Sequence, residues 1–277
     1  MLLDRFRLDE KVALVTGAGR GVGRAIAEGL AEVGAETILV SRTEEELEAT
    51  AKAAGRFGRR AMPIVADISD PEERVSLVRS ALDRFNQIDI LVNAAALGWP
   101  GNGASATNSN PATAAREFLE TPPEEWSQIT SLNLDATAAL IQLVAAQMIH
   151  LGGGKIINLT TAGGHHATDG FSAYGASKAA IEQLTQTLAH ELGHHGVHIN
   201  CIALGRVVTQ ADDAGGFWTP ERRVEVGKQV AIGRIGDEFD VAPLAVYLAS
   251  DASDYVTGST IALDGGGYLH PVLENAP

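Results

Sequence analysis

The sequence predicts an α/β chain built on a doubly wound parallel sheet of about seven strands, with helices on both faces. Three observations carry that prediction. Short apolar runs rich in β-branched residues alternate with longer stretches of helical period. Several of those runs are apolar at nearly every position, as strands covered on both faces must be. The first run enters a glycine-rich turn at the head of a helix.

Taken in order, the strands are predicted at Val12–Thr16, Thr37–Ser41, Met62–Ala66, Ile88–Asn93, Lys155–Leu159, Val197–Ala203 and Thr260–Leu263. Helices are predicted at Gly21–Val33, Glu44–Ala54, Pro71–Phe85, Glu124–Leu151, Ser172–Leu192 and Asp240–Ser250. The acidic run Glu44 to Glu48 suits a helix N-terminus and reads as a solvated face. Two stretches depart from the alternation: 97–110, rich in Gly, Ala, Ser and Asn, and 206–235, which holds Phe217, Trp218 and Pro220. Both leave the carboxyl ends of strands, where ligand crevices open. No repeat or linker divides the 277 residues, so 1–277 reads as one domain with two loop insertions.

Composition narrows the function. One cysteine, Cys201, excludes an intrachain disulfide and gives no metal-ligand cluster, which suits a reducing cytoplasm. Met1 to Glu10 mixes charge with apolar residues and does not read as a signal peptide, and no later segment reads as long enough to span a bilayer. A formal net charge of -14 opposes attraction to nucleic acid or anionic membranes. A small-molecule ligand is expected instead.

The turn Thr16-Gly17-Ala18-Gly19-Arg20-Gly21-Val22-Gly23 supplies that ligand's class. Glycines there allow a tight turn and close backbone approach to a pyrophosphate, and the helix N-terminus offers N–H groups to its charge. Strand, glycine turn, helix and a second strand together point to a dinucleotide. The second strand ends in Ser41-Arg42, not in the carboxylate that usually grips an NAD ribose. With Arg20 in the turn, these residues favour NADP(H), because a guanidinium pairs with a ribose phosphate in two-point fashion. NAD(H) is the alternative. Asp67, before Ile68 and Ser69, is positioned either to accept from an adenine amino group or to cap a turn.

Ser172-Ala173-Tyr174-Gly175-Ala176-Ser177-Lys178 places a phenol and an amine four residues apart on one helix face. An ammonium near a phenol favours the phenolate and lowers its pKa, making a proton shuttle. With the glycine turn, the chain resembles the short-chain dehydrogenase/reductase family from Lys11 to Gly267. Further matches are Asn93-Ala94-Ala95-Ala96, Asn133 in Ser131-Leu132-Asn133-Leu134, Thr160-Thr161, Asn200 to Gly205, and Asp264-Gly265-Gly266.

The resemblance implies a Rossmann-like fold and hydride transfer between a nicotinamide cofactor and a secondary alcohol or ketone. It implies Tyr174 as acid/base, Lys178 as its activator and holder of the nicotinamide ribose, and Asn133 as the anchor of a water relay. Thr161 takes the position usually held by serine, its hydroxyl polarising the substrate oxygen. Cofactor contacts are implied at Gly17, Gly19, Arg20, Gly21, Val22, Gly23, Ser41, Arg42, Asp67, Ile68, Asn93, Ala94, Gly205, Val207 and Thr209 as well as Tyr174 and Lys178. Candidate substrate contacts are Leu97, Trp99, Gly163, His165, Phe171 and Trp218; no metal site is expected.

Three positions depart from the family pattern: Ala96 replaces a glycine, Thr161 a serine, and Leu204 a proline before Gly205. Alanine at 96 costs energy if a positive φ is needed there, and Leu204 is expected to loosen its turn. These departures motivate a competing reading, a protein of this fold that performs no net redox chemistry or only senses a dinucleotide. A homotetramer or homodimer is implied; Ala136, Ala138, Ala139, Ala145 and Ala146 suit either close helix approach across an interface or an internal core.

Overall fold

The computed structural model describes residues 1–97, 117–162, 169–209 and 218–269. Its main sheet holds seven parallel strands in the order β3-β2-β1-β4-β5-β6-β9. These are β1 Val12–Thr16, β2 Glu36–Ser41, β3 Ala61–Val65, β4 Ile90–Asn93, β5 Gly154–Thr161, β6 Val197–Leu204 and β9 Thr260–Leu263. Two short strands, β7 Val207–Val208 and β8 Gly236–Asp237, pair apart from it. The helices are α1 Gly21–Glu32, α2 Glu44–Gly55, α3 Pro71–Phe85, α4 Pro123–Thr130, α5 Thr137–Leu151, α6 Ser172–Leu192, α7 Pro220–Gly227 and α8 Ala242–Ala249.

Alternation along each strand divides the core between the two faces. Val12 and Leu14 of β1 join Leu77, Ile141 and Val144 on one side. Ala13 and Val15 join Ile26, Leu30 and Leu248 on the other. Both sets are apolar because helices cover both faces, the cause of the near-continuous apolar strands. Pro63 is tolerated because β3 lies at the sheet edge. The chain winds outward through β2 and β3, then returns to pair β4 on the opposite side of β1. That reversal opens a crevice beyond the carboxyl ends of β1 and β4.

Several boundaries move. Strand β4 starts at Ile90, later than predicted, and the Asp89 carboxylate accepts from Val12 N at 2.8 Å. Strands β5 and β6 extend to Thr161 and Leu204, which pair with each other. The segment 124–151 is not one regular helix: Ser131–Ala136 forms a π-turn between α4 and α5. Such turns insert an extra residue and concentrate at functional sites. The whole helix, Pro123–Leu151, spans 29 residues and is long and apolar enough by length and composition to cross a membrane, which corrects the expectation that no segment is. Its apolar character has a local cause here, since Leu140, Ile141, Val144 and Met148 are buried in the core.

Candidate active site

The crevice is a cleft of about 790 Å³. The turn between β1 and α1 forms its floor, and Gly17, Gly19, Arg20, Gly21, Val22 and Gly23 all line it. Gly17 has φ +65°, and a Cβ there would lie 2.9 Å from Ala95 N. A Cβ at Gly23 would come within 2.3 Å of Gly17 O. The turn can therefore be this tight only with glycine. Thr16 Oγ1 locks the neighbouring loop by accepting from Ala94 N at 3.1 Å and Ala95 N at 3.2 Å. Among the described residues no side chain caps α1, so its first-turn N–H groups face the cleft as an anion site. This cradle fits the pyrophosphate of a dinucleotide.

At the end of β2, Ser41 and Arg42 line the same cleft, joined by Asp67, Ile68 and a residue that sequence reasoning missed, Glu46. The guanidiniums expected to await a phosphate are each beside a carboxylate. Arg42 Nη1 lies 3.7 Å from Asp67 Oδ2, and Arg20 Nη1 lies 3.6 Å from Glu46 Oε1. Ser41 Oγ closes a local turn, accepting from Thr43 N at 3.3 Å. Asp67 Oδ1 accepts from Ser69 N at 2.9 Å and Ser69 Oγ at 2.7 Å, the turn-capping geometry. Partial burial opposes ionisation of Asp67, yet the Ser69 bonds and Arg42 hold its carboxyl below the usual range.

Thr161, Tyr174 and Lys178 meet at the other end of the cleft. Strand β5 delivers Thr161, whose Oγ1 is 3.5 Å from Leu204 O. Helix α6 delivers the other two residues one turn apart. Lys178 is buried, donates from Nζ to Leu159 O at 2.8 Å, and lies 5.7 Å from the centre of the Tyr174 ring. Burial pushes its pKa down to about 8, with Cys201 opposing. In the protein by itself Tyr174 shifts in the direction opposite to the lowering expected beside Lys178 and a bound nucleotide. Burial raises the phenol above its ordinary value, and the Tyr268 phenol adds to the shift. The lysine's nitrogen is committed to a backbone carbonyl, and burial of the phenol is the leading cause of its shift.

A pH dependence follows. Oxidation of an alcohol needs Tyr174 deprotonated, so its kcat/KM should keep rising from about pH 7 to 9. Reduction of a ketone needs the phenol protonated and should stay flat from about pH 6 to 7, below the value of about 8 at which Lys178 sheds its charge. Initial rates in the two directions check both slopes; a reductive rate that falls steadily across that range would contradict the raised phenol.

Asn133 stands beside the cleft but does not line it. Its Nδ2 donates to Leu97 O at 2.9 Å and to Ser177 Oγ at 3.1 Å, while its Oδ1 accepts from Leu97 N at 2.8 Å. Ser177 Oγ in turn donates to Tyr174 O at 2.7 Å. The side chain therefore ties the π-turn to Leu97 and α6, which positions Tyr174. Its side-chain amide is thus a clamp between three segments. Asn93, expected among the cofactor contacts, does not itself line the cleft. It is buried behind the cleft, donating to Asn158 Oδ1 at 2.8 Å.

The remaining candidates divide. Ala94, Leu97, Gly205, Val207 and Thr209 line the cleft. Phe171 does not; it stacks edge-on against Tyr174, with ring centres 6.4 Å apart. Trp218 is buried as an anchor of α7: its carbonyl accepts from Arg223 Nε at 3.2 Å and Arg222 lies 5.7 Å from its ring centre. Trp99, Gly163 and His165 fall outside the described residues. The polar residues Ser127, Gln128 and Ser131 on the α4 side also line the cleft. Their place follows from how α4 docks, which local pattern does not encode.

Two departures from the expected pattern are benign. Among the described residues, positive φ outside glycine occurs only at Glu10 and Asn86, so Ala96 carries no such strain. Leu204 is not in a loosened turn; it extends β6, pairing with Leu263 of β9. Gly205 follows because a Cβ there would lie 2.5 Å from Asp264 Cα.

Comparison with known proteins agrees with this fold. A family model described as Enoyl-(Acyl carrier protein) reductase matches residues 17–268. The chain is 36% identical to the short-chain reductase protein NovJ of Streptomyces niveus, over 93% of this chain and 94% of that protein. A gluconate 5-dehydrogenase from Burkholderia cenocepacia J2315, solved with NADP and tartrate, superposes with TM-score 0.85 at 31% identity, covering 98% of this chain and all of the other. A 7α-hydroxysteroid dehydrogenase, solved with NADH and 7-oxo glycochenodeoxycholic acid, gives TM-score 0.85 at 29% identity, covering 96% and 97%.

Proposed function

The chain belongs to the short-chain dehydrogenase/reductase family of oxidoreductases, and on that premise we propose that it interconverts a small secondary alcohol and its ketone with NADP(H) favoured over NAD(H). The observation that carries the proposal is the meeting of Thr161, Tyr174 and Lys178 in the same cleft as the uncapped start of α1. When bound there, a nicotinamide dinucleotide gives or accepts the hydride. The N–H groups of the glycine turn hold its pyrophosphate. Thr161 donates a hydrogen bond to the substrate oxygen, withdrawing charge from it. Tyr174 gives that oxygen a proton in reduction and takes one in oxidation. Lys178, fixed through Leu159 O, supplies a buried positive charge beside the phenol.

NADP(H) is favoured because Arg20 and Arg42 both line the adenosine end, and Arg42, whose side chain is largely solvent-exposed, can turn toward a phosphate. The Michaelis constants for the two cofactors test this. A KM for NADP(H) roughly tenfold or more below that for NAD(H) is expected; a preference for NAD(H) would contradict it. We place the enzyme in the cytoplasm, a setting that its single buried thiol, Cys201, suits. We also expect a homotetramer or homodimer. Ala136 and Ala145 face the core, whereas Ala146 is exposed and Ala138 and Ala139 are half-buried, giving α5 a small-residue outer face. Sedimentation showing only monomer would remove the oligomer.

These observations favour the redox reading over one without net redox chemistry. Two of the three departures that suggested it, Ala96 and Leu204, sit without strain, and the third retains a hydroxyl in the cleft.

A further inference from the structure

Glu46 was grouped by sequence with a solvated acidic run, yet it lines the cleft beside Gly19, Arg20 and Ser41. A Cβ built on Gly19 would lie 2.9 Å from Glu46 Oε2 and 2.9 Å from Ser41 Oγ, so both oxygens crowd the glycine turn from one side. The placement is anchored through the backbone. Thr50 Oγ1 meets both Gly19 O, at 3.2 Å, and Glu46 O, at 3.1 Å, pinning the first turns of α2 to the glycine turn. The Glu46 side chain is only 34% exposed and its Oε1 is 3.6 Å from Arg20 Nη1. Arg42, by contrast, is 65% exposed and paired to Asp67.

We infer that Glu46 is a cofactor-selecting residue: it accepts from an unphosphorylated adenosine ribose at Gly19, and it opposes a 2′-phosphate there by repulsion and by holding Arg20. The inference rests on the dinucleotide reading of the cleft and goes beyond it. A ribose 2′-hydroxyl is a donor and gains an acceptor from this carboxylate. A 2′-phosphate has no proton to share near neutral pH and must displace the carboxylate from Arg20. The two arginines and Glu46 therefore pull in opposite directions, and the preference for NADP(H) is narrower than the arginines alone would set.

Calorimetric titration of 5′-ADP and 2′,5′-ADP into the wild-type chain and into Glu46→Gln tests this without turnover. Glutamine keeps the size of the side chain and removes the charge. The variant should bind 2′,5′-ADP on the order of fivefold more tightly, the upper span for one partly exposed charge pair. It should bind 5′-ADP more weakly, and the gain for 2′,5′-ADP should shrink in high salt. Glu48→Gln, on an exposed position of the same helix, should move neither ligand. A purely structural role for Glu46 would shift both ligands together, and that result, or no shift in either, overturns the inference alone. Wild-type protein that binds neither nucleotide overturns the dinucleotide reading and this inference with it.

Discussion

Replacing Tyr174 with phenylalanine should lower kcat in both directions by about a thousandfold, within the range that a positioned acid/base contributes. The ring itself is retained, and with it the edge-on contact to Phe171 at 6.4 Å and the position of Lys178 at 5.7 Å. Only the phenol oxygen is lost. Dinucleotide affinity should therefore stay within about twofold of wild type, since the phosphate cradle and Lys178 are untouched. Stopped-flow binding and steady-state rates on the same preparation separate the two effects. A variant that turns over at wild-type speed would remove Tyr174 from the proton step; one that no longer binds cofactor would make it a structural residue.

The second large effect is expected at Gly23. Gly23→Ala places a methyl 2.3 Å from Gly17 O, 2.8 Å from Gly17 C and 3.2 Å from Thr16 O. All three neighbours are backbone, so no side chain can swing away. The turn must open, carrying with it the N–H groups that would meet a pyrophosphate. A dinucleotide Kd weaker by about a hundredfold is expected, with a stability loss of about 1–3 kcal/mol from overpacking. Gly55→Ala is the matched control, because nothing lies within 4 Å of its Cβ position at the end of α2. Alanine there should raise stability by about 0.5–1 kcal/mol through helix propensity. Calorimetry and thermal melts on both variants check the pair. Undisturbed cofactor binding in Gly23→Ala would show that the turn is not the cradle.

What could be read from sequence divides by range. The glycine turn and the pair Tyr174 and Lys178 are local patterns: their spacing on one turn or one helix fixes their geometry wherever the helix docks. The same holds for the two-faced apolar strands, whose burial on both sides leaves a mark at every position. Glu46 was invisible for the opposite reason. Its neighbours in sequence, Glu44, Glu45 and Glu48, are exposed, and only the docking of α2 through Thr50 and Gly19 turns one of four acids inward. The useful signal was the pairing of charge between Arg20 and an acid at the start of α2. Asn133 was found as a site residue, but its partners Leu97 and Ser177 come from distant segments, so its clamp could not be foreseen. The raised phenol of Tyr174 is likewise a property of burial, which a residue pattern does not measure.

The competition at the adenosine end and the proton step at Tyr174 share one premise, that this cleft carries a dinucleotide to a carbonyl carbon. Following a deuterium label from the nicotinamide C4 of reduced cofactor, in the presence of ketones spanning sugar acids, steroids and acyl chains, addresses that premise at the reacting atom. Label on the carbinol carbon of one of these products, absent with Tyr174→Phe, is the result the structure predicts. A carbonyl compound consumed while the label stays on the dinucleotide would contradict it.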